Sequence, residues 1–301
     1  MGTIEQLLPR LPAGTTWTPA SEGESGDAVF RRSDGAAFAK VSLGASATQL
    51  DEERRRTEWL APYNVGSARV LDWRATPEGA CLVTAAVPGV PASDLPAAEL
   101  LRAWPSMARR LRALHEIPAG ECPFARPLSA MFDRAADVVA RGAVNPEFLD
   151  PDQQDVPPPL LLARLQTDLP HRLAQEAQDL VVCHGDACLP NFLVDPQTLQ
   201  CTHRLAQEAQ DRVVCHGDAC LPNFLVDPQT LQCTGLIDVG RLGTADRYVD
   251  LSLLLGNARE SWRDAADARA AHALLFAQLG IDAPDDGRLE FYLRLDPLTW
   301  G

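Results

Sequence analysis

The sequence predicts an α+β protein of two lobes, a small β-rich one over residues 1–88 and a larger, mainly helical one over residues 89–301. Three observations predict it. Residues 15–88 hold short apolar runs separated by Gly, Pro and Asp turns, as strands require. From about residue 95 the apolar residues recur every three or four positions, the period of a helix. Inside that helical region, residues 213–238 break the period and read as strand, polar loop, short strand, turn and strand.

In the first lobe, Val29, Phe30, Arg31 and Arg32 form one strand candidate and residues 37–41 (AFAKV) the next. Ser33, Asp34 and Gly35 between them make a hairpin turn. Ahead of the first strand lies a polar loop, Gly23-Glu24-Ser25-Gly26-Asp27, in which Ser25 and Gly26 can bring backbone N–H groups close to a phosphate. Residues 49–60 have helix-forming composition but few apolar positions, which predicts a helix on the surface of the small lobe. Residues 67–76 and 80–87 read as strands around a turn at Pro77, Glu78 and Gly79. The second ends at Pro88-Gly89 and is the candidate hinge strand between lobes.

In the second lobe, Leu100, Leu101, Trp104, Met107, Leu111 and Leu114 mark one apolar helix face, and Pro105 either kinks that helix or begins a second one. Residues 127–142 suggest another helix, and residues 145–159 a Pro- and Asp-rich loop. Residues 160–179, 265–280 and the segment ending at Asp296-Pro297 are further helices. Asp250 opens the apolar run LSLLLGNA, where its carboxylate can cap free N–H groups.

Composition narrows the function classes. The net charge of −14 leaves no basic stripe for a nucleic acid and suits a polycationic ligand. No apolar run approaches the ~20 residues of a membrane span. The first residues lack a basic segment followed by an apolar core, so no secretory signal is expected, and the location expected is cytoplasmic. The eight cysteines are expected as thiols, because six of them belong to one duplication.

That duplication dominates the middle of the chain. Residues 171–202 recur as residues 203–234, identical at 31 of 32 positions, with Leu180 replaced by Arg212. Two copies are too few for a solenoid, and drifted structural repeats would differ more. Only one copy can fill a site. The second runs directly into Gly235, Leu236, Ile237 and Asp238, and a short turn then closes its hairpin. The first would have to span an insertion, which adds loop-closure entropy. Asp218 and Asn223 are therefore assigned to the site, with Asp186 and Asn191 as displaced twins.

A hairpin over residues 213–238 would bring Asp218, Asn223 and Asp238 to one end of two short strands. Two carboxylates and an amide there make an oxygen-rich site of the kind Mg²⁺ prefers. One carboxylate can stay off the metal and take a proton from a hydroxyl.

These residues carry a resemblance. His216-Gly217-Asp218, four residues, then Asn223, with Ile237-Asp238 fifteen residues beyond, resembles the catalytic and metal loops of the aminoglycoside phosphotransferase family, relatives of the protein kinases. The stretches GESGD, AWPSM, CPF, TLQCTGLID and FYLRLDPLTWG are similar to the subgroup that acts on streptomycin. The resemblance implies a protein-kinase-like bilobal fold, ATP and Mg²⁺ as cofactors, and phosphorylation of the 3''-hydroxyl of streptomycin, conferring resistance. It implies Asp218 as catalytic base, Asn223 and Asp238 as metal ligands, and Lys40 on the α/β-phosphates. Glu53 would hold Lys40, with Glu52 as the competing choice. It also implies that Asp250 braces the catalytic loop, an alternative to capping, and that Glu290 and Asp296 line an acidic substrate pocket. A kinase of another small hydroxylated amine or sugar, or a pseudokinase disabled by the duplication, are the competing expectations.

Overall fold

The computed structural model describes residues 2–22, 27–176, 180–183, 188–189, 192–193 and 212–301. An unpredicted helix, α1 (Gly2–Leu7), precedes five strands: β1 (Trp17–Glu22), β2 (Ala28–Arg32), β3 (Ala37–Leu43), β4 (Val70–Thr76) and β5 (Gly79–Ala85). They form one antiparallel sheet in the order β1-β2-β3-β5-β4, with helix α2 (Ala47–Leu60) inserted between β3 and β4. The β2–β3 turn falls where the sequence put it, with Gly35 at φ +73° and the Ala36 N–H donating to Asp34 at 3.0 Å.

Alternation along β3 sorts its side chains. Ala39 lies opposite Val83 and Val41 opposite Cys81, and these pack with Leu7 of α1 on one face. Lys40 lies opposite Leu82 and so shares the other face, which α2 covers through Leu50. The pleat thus aims Lys40 at α2.

The larger part is built around α3 (Ala97–His115), whose Leu100, Trp104, Met107, Leu111 and Leu114 are fully buried. Pro105 neither breaks it nor starts a second helix. The helix runs through, and the Trp104 indole donates to the Ala271 carbonyl at 2.8 Å. Around it lie α4 (Leu128–Ala140), α5 (Pro158–Glu176), α6 (Tyr248–Asn257), α7 (Ala265–Leu279) and α8 (Asp286–Leu295). Short strands β6 (Val90–Pro91), β10 (Arg212–Cys215), β11 (Cys220–Val226), β12 (Cys233–Leu236) and β13 (Gly243–Asp246) hold the polar loops among them. Backbones touch where the segment after α2 crosses β12. A Cβ on Gly66 would collide with the Thr234 carbonyl, and one on Gly235 with that of Gly66.

The two copies divide the work. The first supplies the end of α5, where buried Glu176 accepts a bond from the Leu128 N–H at 2.7 Å and caps α4. The second supplies β10, β11 and β12. Of the first copy's own strands, β7 (Leu180–Cys183) and β9 (Phe192–Leu193) keep their twins' register, whereas β8 (Cys188–Leu189) lies parallel beside its own twin, Cys188 opposite Cys220. Phe192 and Phe224 both pair with Leu236, and Leu193 and Leu225 both pair with Gly235. Cys81, Cys122, Cys215 and Cys233 are free thiols, whereas Cys220 is disulfide-bonded, a departure from the all-thiol expectation. Among the described residues no helix is long and apolar enough to cross a membrane.

Candidate active site

The site is assembled from the β11–β12 hairpin upward. Asp227 makes its turn, accepting bonds from the N–H groups of Gln229 at 2.6 Å and Thr230 at 3.1 Å. Pairing of Phe224 with Leu236 then sets Asn223 beside Ile237, whose N–H reaches the Asn223 carbonyl at 3.4 Å. Asp238 follows at φ +58°, a left-handed conformation that side chains other than glycine seldom adopt. This turns the carboxylate off the strand line.

Asp218 and Asn223 are both almost fully buried. The Asn223 amide donates to the Asp218 carboxylate at 3.3 Å and to its carbonyl at 3.1 Å. Across the cleft, Lys40 Nζ lies 2.8 Å from Glu53 Oε2 and 3.5 Å from Asp238 Oδ1. Burial opposes the Lys40 charge, but the Asp238 and Glu53 carboxylates outweigh it and raise the lysine pKa. Burial pushes Glu53 upward, against the pull of Lys40. Glu52 points elsewhere and pairs with Arg56 at 3.1 Å.

Asp250 is completely buried within α6. Its carboxylate accepts the backbone N–H groups of His216 and Gly217 and lies 2.9 Å from His115 Nε2. Bracing, not capping, is what its contacts do; the Tyr248 N–H at the helix start is instead accepted by Asp246 at 2.9 Å. Gly217 at φ +76° lets the loop fold onto that carboxylate. His115, Cys215 and Asp250 lie close enough to suggest a metal cluster, but His115 Nε2 and the Asp250 carboxylate are engaged in this brace and Cys215 Sγ in a contact with the Ala245 carbonyl.

The remaining expected residues are placed as follows. Ser25 and Gly26 lie outside the described residues, as do Asp186 and Asn191; the loop's far end, Asp27, accepts the Ser42 hydroxyl at 2.5 Å. Asp296 is occupied by internal partners: Trp300 Nε1 at 2.8 Å, Arg241 at 3.3 Å and Arg126 at 3.8 Å. Arg241 also stacks on the Trp300 ring at 3.5 Å. Glu290 pairs with Arg294 at 2.9 Å and lines a cavity of about 670 Å³ together with Asp150, Asp152, Asp286 and Arg259. Asn257, at the end of α6, accepts the Leu221 N–H at 2.9 Å and ties that helix to the catalytic strand. Sequence reasoning gave Arg241 no role, although it stands three residues after Asp238. The aspartates at 150 and 152 were read only as part of a Pro- and Asp-rich loop, because nothing local marks them as lining a cavity.

Oxygen donors from Asn223 on β11 and Asp238 just beyond β12, beside a lysine–glutamate pair and a buried carboxylate, fit a hard divalent cation and a phosphate chain. Such a site in such a fold defines a kinase-like phosphotransferase. The comparisons with known proteins agree: the chain belongs to the phosphotransferase enzyme family, whose model matches residues 16–202 and 197–292. It is 49% identical over 288 residues to a streptomycin 3''-kinase of Streptomyces griseus, covering 96% of this chain and 94% of that one. It is 34% identical to an aminoglycoside 3'-phosphotransferase of Streptomyces fradiae, covering 93% and 94%. Among solved structures, aminoglycoside phosphotransferase APH(3'')-Id of Streptomyces rimosus superposes with a TM-score of 0.80 at 44% identity, covering 95% and 93%. The same enzyme in complex with ADP and streptomycin matches with a TM-score of 0.79 at 43% identity.

Proposed function

We propose that this protein transfers the γ-phosphoryl group of ATP to the 3''-hydroxyl of streptomycin. The observation that carries the chemistry is the approach of Lys40 Nζ to Asp238 Oδ1 at 3.5 Å, which joins the N-terminal sheet to the β11–β12 hairpin across 198 residues of chain. The substrate rests on the 49% identity to a streptomycin 3''-kinase. In this reading residues 1–88 hold the nucleotide, with backbone groups of Ser25 and Gly26 on its phosphates, and residues 89–301 hold the acceptor and the catalytic groups.

Asn223 and Asp238 would hold Mg²⁺, which neutralises charge on the phosphate oxygens when bound. Lys40, fixed by Glu53, steadies the α/β-phosphates. Asp218 accepts a hydrogen bond from the sugar hydroxyl and orients its oxygen toward the γ-phosphorus. The bond from phosphorus to the ADP oxygen breaks, the bond to the 3''-oxygen forms, and the hydroxyl proton passes to Asp218 Oδ. Positioning and charge neutralisation are the main requirements of phosphoryl transfer, and these groups supply both.

Streptomycin carries two guanidinium groups, which suit the carboxylates of the cavity that Glu290 lines. Asp296 serves this reading by holding Arg241 at the cleft. The added phosphate brings about two negative charges to a cationic drug and spoils its recognition, giving resistance. The cytoplasm, where ATP is available, is the compartment this reading assigns.

The test is ADP release and product mass with purified protein, ATP and Mg²⁺, offering streptomycin, kanamycin or choline. Turnover on streptomycin with the gain of one phosphate is expected, and Asp218→Asn should lose it. Turnover on kanamycin or choline but not streptomycin would overturn the substrate. Nucleotide binding with no turnover on any acceptor would favour a pseudokinase.

A further inference from the structure

Helix α2 was expected to ride on the surface of the small lobe. Its second half instead grips the large one. Arg56 lies one turn beyond Glu53, and its Nε donates to the Leu242 carbonyl at 2.8 Å, across 186 residues of chain. Leu242 closes the turn behind Asp238, its own N–H bonding the Val239 carbonyl at 3.0 Å. The Arg56 guanidinium also lies over the Phe124 ring at 5.0 Å. Trp59, on the next turn of α2, meets the same ring edge-on at 6.0 Å. Tyr63, just past the helix, donates to Glu121 at 2.9 Å. Between the two anchors, Gly240 faces the helix: a Cβ there would stand 3.7 Å from Glu53 Cβ and 3.6 Å from Asp238 Oδ1.

We propose that Arg56 is a positioning residue for nucleotide binding. By tying α2 to the carbonyl behind Asp238 and to Phe124, it holds Glu53, and through Glu53 the Lys40 ammonium, in register with Asp238. The phosphate grip is then set before nucleotide arrives, and the CPF segment that carries Phe124 is the pad on which it is set. This inference rests on the reading of Lys40 as a phosphate ligand.

The geometry separates this role from plain packing. A packing residue would lower stability and leave nucleotide affinity alone. A residue acting through Glu53 would lose its effect once Glu53 is gone. The experiment is calorimetric binding of ADP and ATP, with steady-state kinetics and thermal midpoints, for Arg56→Ala, Arg56→Lys, Glu53→Ala and Arg56→Ala/Glu53→Ala. Arg56→Ala is expected to weaken nucleotide binding about tenfold, while the KM for the phosphate acceptor stays within twofold. Arg56→Lys should recover part of the loss, because an ammonium can still donate to the carbonyl. The double variant should bind nucleotide no more weakly than Glu53→Ala alone. Unchanged nucleotide affinity in Arg56→Ala, or losses that simply add in the double variant, would overturn the inference and leave the proposed reaction standing. Wild-type protein that binds no nucleotide would overturn both.

Discussion

His115 Nε2 lies 2.9 Å from Asp250 Oδ2 in the core, across 135 residues of chain. The turn carrying Asp218 hangs from this pair, because the same carboxylate accepts the N–H groups of His216 and Gly217. Burial pushes the His115 imidazole well below its usual range and Asp250 well above the usual carboxylate range. Replacing Asp250 with Asn puts an amide where two backbone donors need acceptors. A buried backbone donor left without its acceptor costs about 1–3 kcal/mol, so kcat should fall on the order of 10- to 100-fold. Activity within threefold of wild type would show that the loop stands without its brace.

Glu176 gives the protein a pH signature. Burial raises its pKa to about 7, only partly offset by the bond from the Leu128 N–H. The folded state therefore holds this proton at pH values where the unfolded chain has lost it. Stability from this group is fully present below the unfolded value near ~4.5, declines as pH rises through about 7, and is flat beyond. Glu176→Gln keeps an acceptor for Leu128 and removes the titration. Urea midpoints measured from pH 5 to 8 should fall with pH less steeply in the variant. Parallel curves would remove Glu176 as the source of the slope.

Asp296 and Glu290 should separate by role. Asp296 is engaged by Trp300 and Arg241, so Asp296→Asn should lower both the melting midpoint and kcat. Glu290 is exposed at the cavity edge, so Glu290→Gln should spare kcat and raise the streptomycin KM. A single exposed ion pair contributes about 0–1 kcal/mol, hence about two- to fivefold at low salt. A salt-independent KM equal to wild type would remove Glu290 from the pocket.

Deletion of residues 171–202 should leave an active enzyme. The end of α5 and the strands β10–β12 already make one complete unit, and the shortened chain rebuilds the same helix end from the second copy. The measurement is turnover and melting midpoint beside the full chain. A dead but folded deletion variant would mean that the first copy's strands contribute something the second cannot.

Much of this was legible in the sequence because it is local. The Ser33-Asp34-Gly35 turn, the apolar face of α3 and the spacing from His216 to Asp238 each depend on neighbours a few residues away. Lys40 could be singled out from its strand context, and the pleat explains why it meets α2. β1 was missed because Pro19 interrupts its pattern. β13 was missed because Gly243 and Asp246 do not read as strand residues. Contacts such as Arg56 to Leu242 and Arg259 to Asp150 join distant parts of the chain, and no periodicity announces them.

The near-identity of the two copies also bears on inheritance. A direct repeat in the coding sequence can recombine with itself and lose one copy in frame. A crossover before residue 180 leaves arginine at the start of the catalytic strand, and one after it leaves leucine. Lineages grown under selection for the activity would thus record, in that one codon, on which side of it the excision fell.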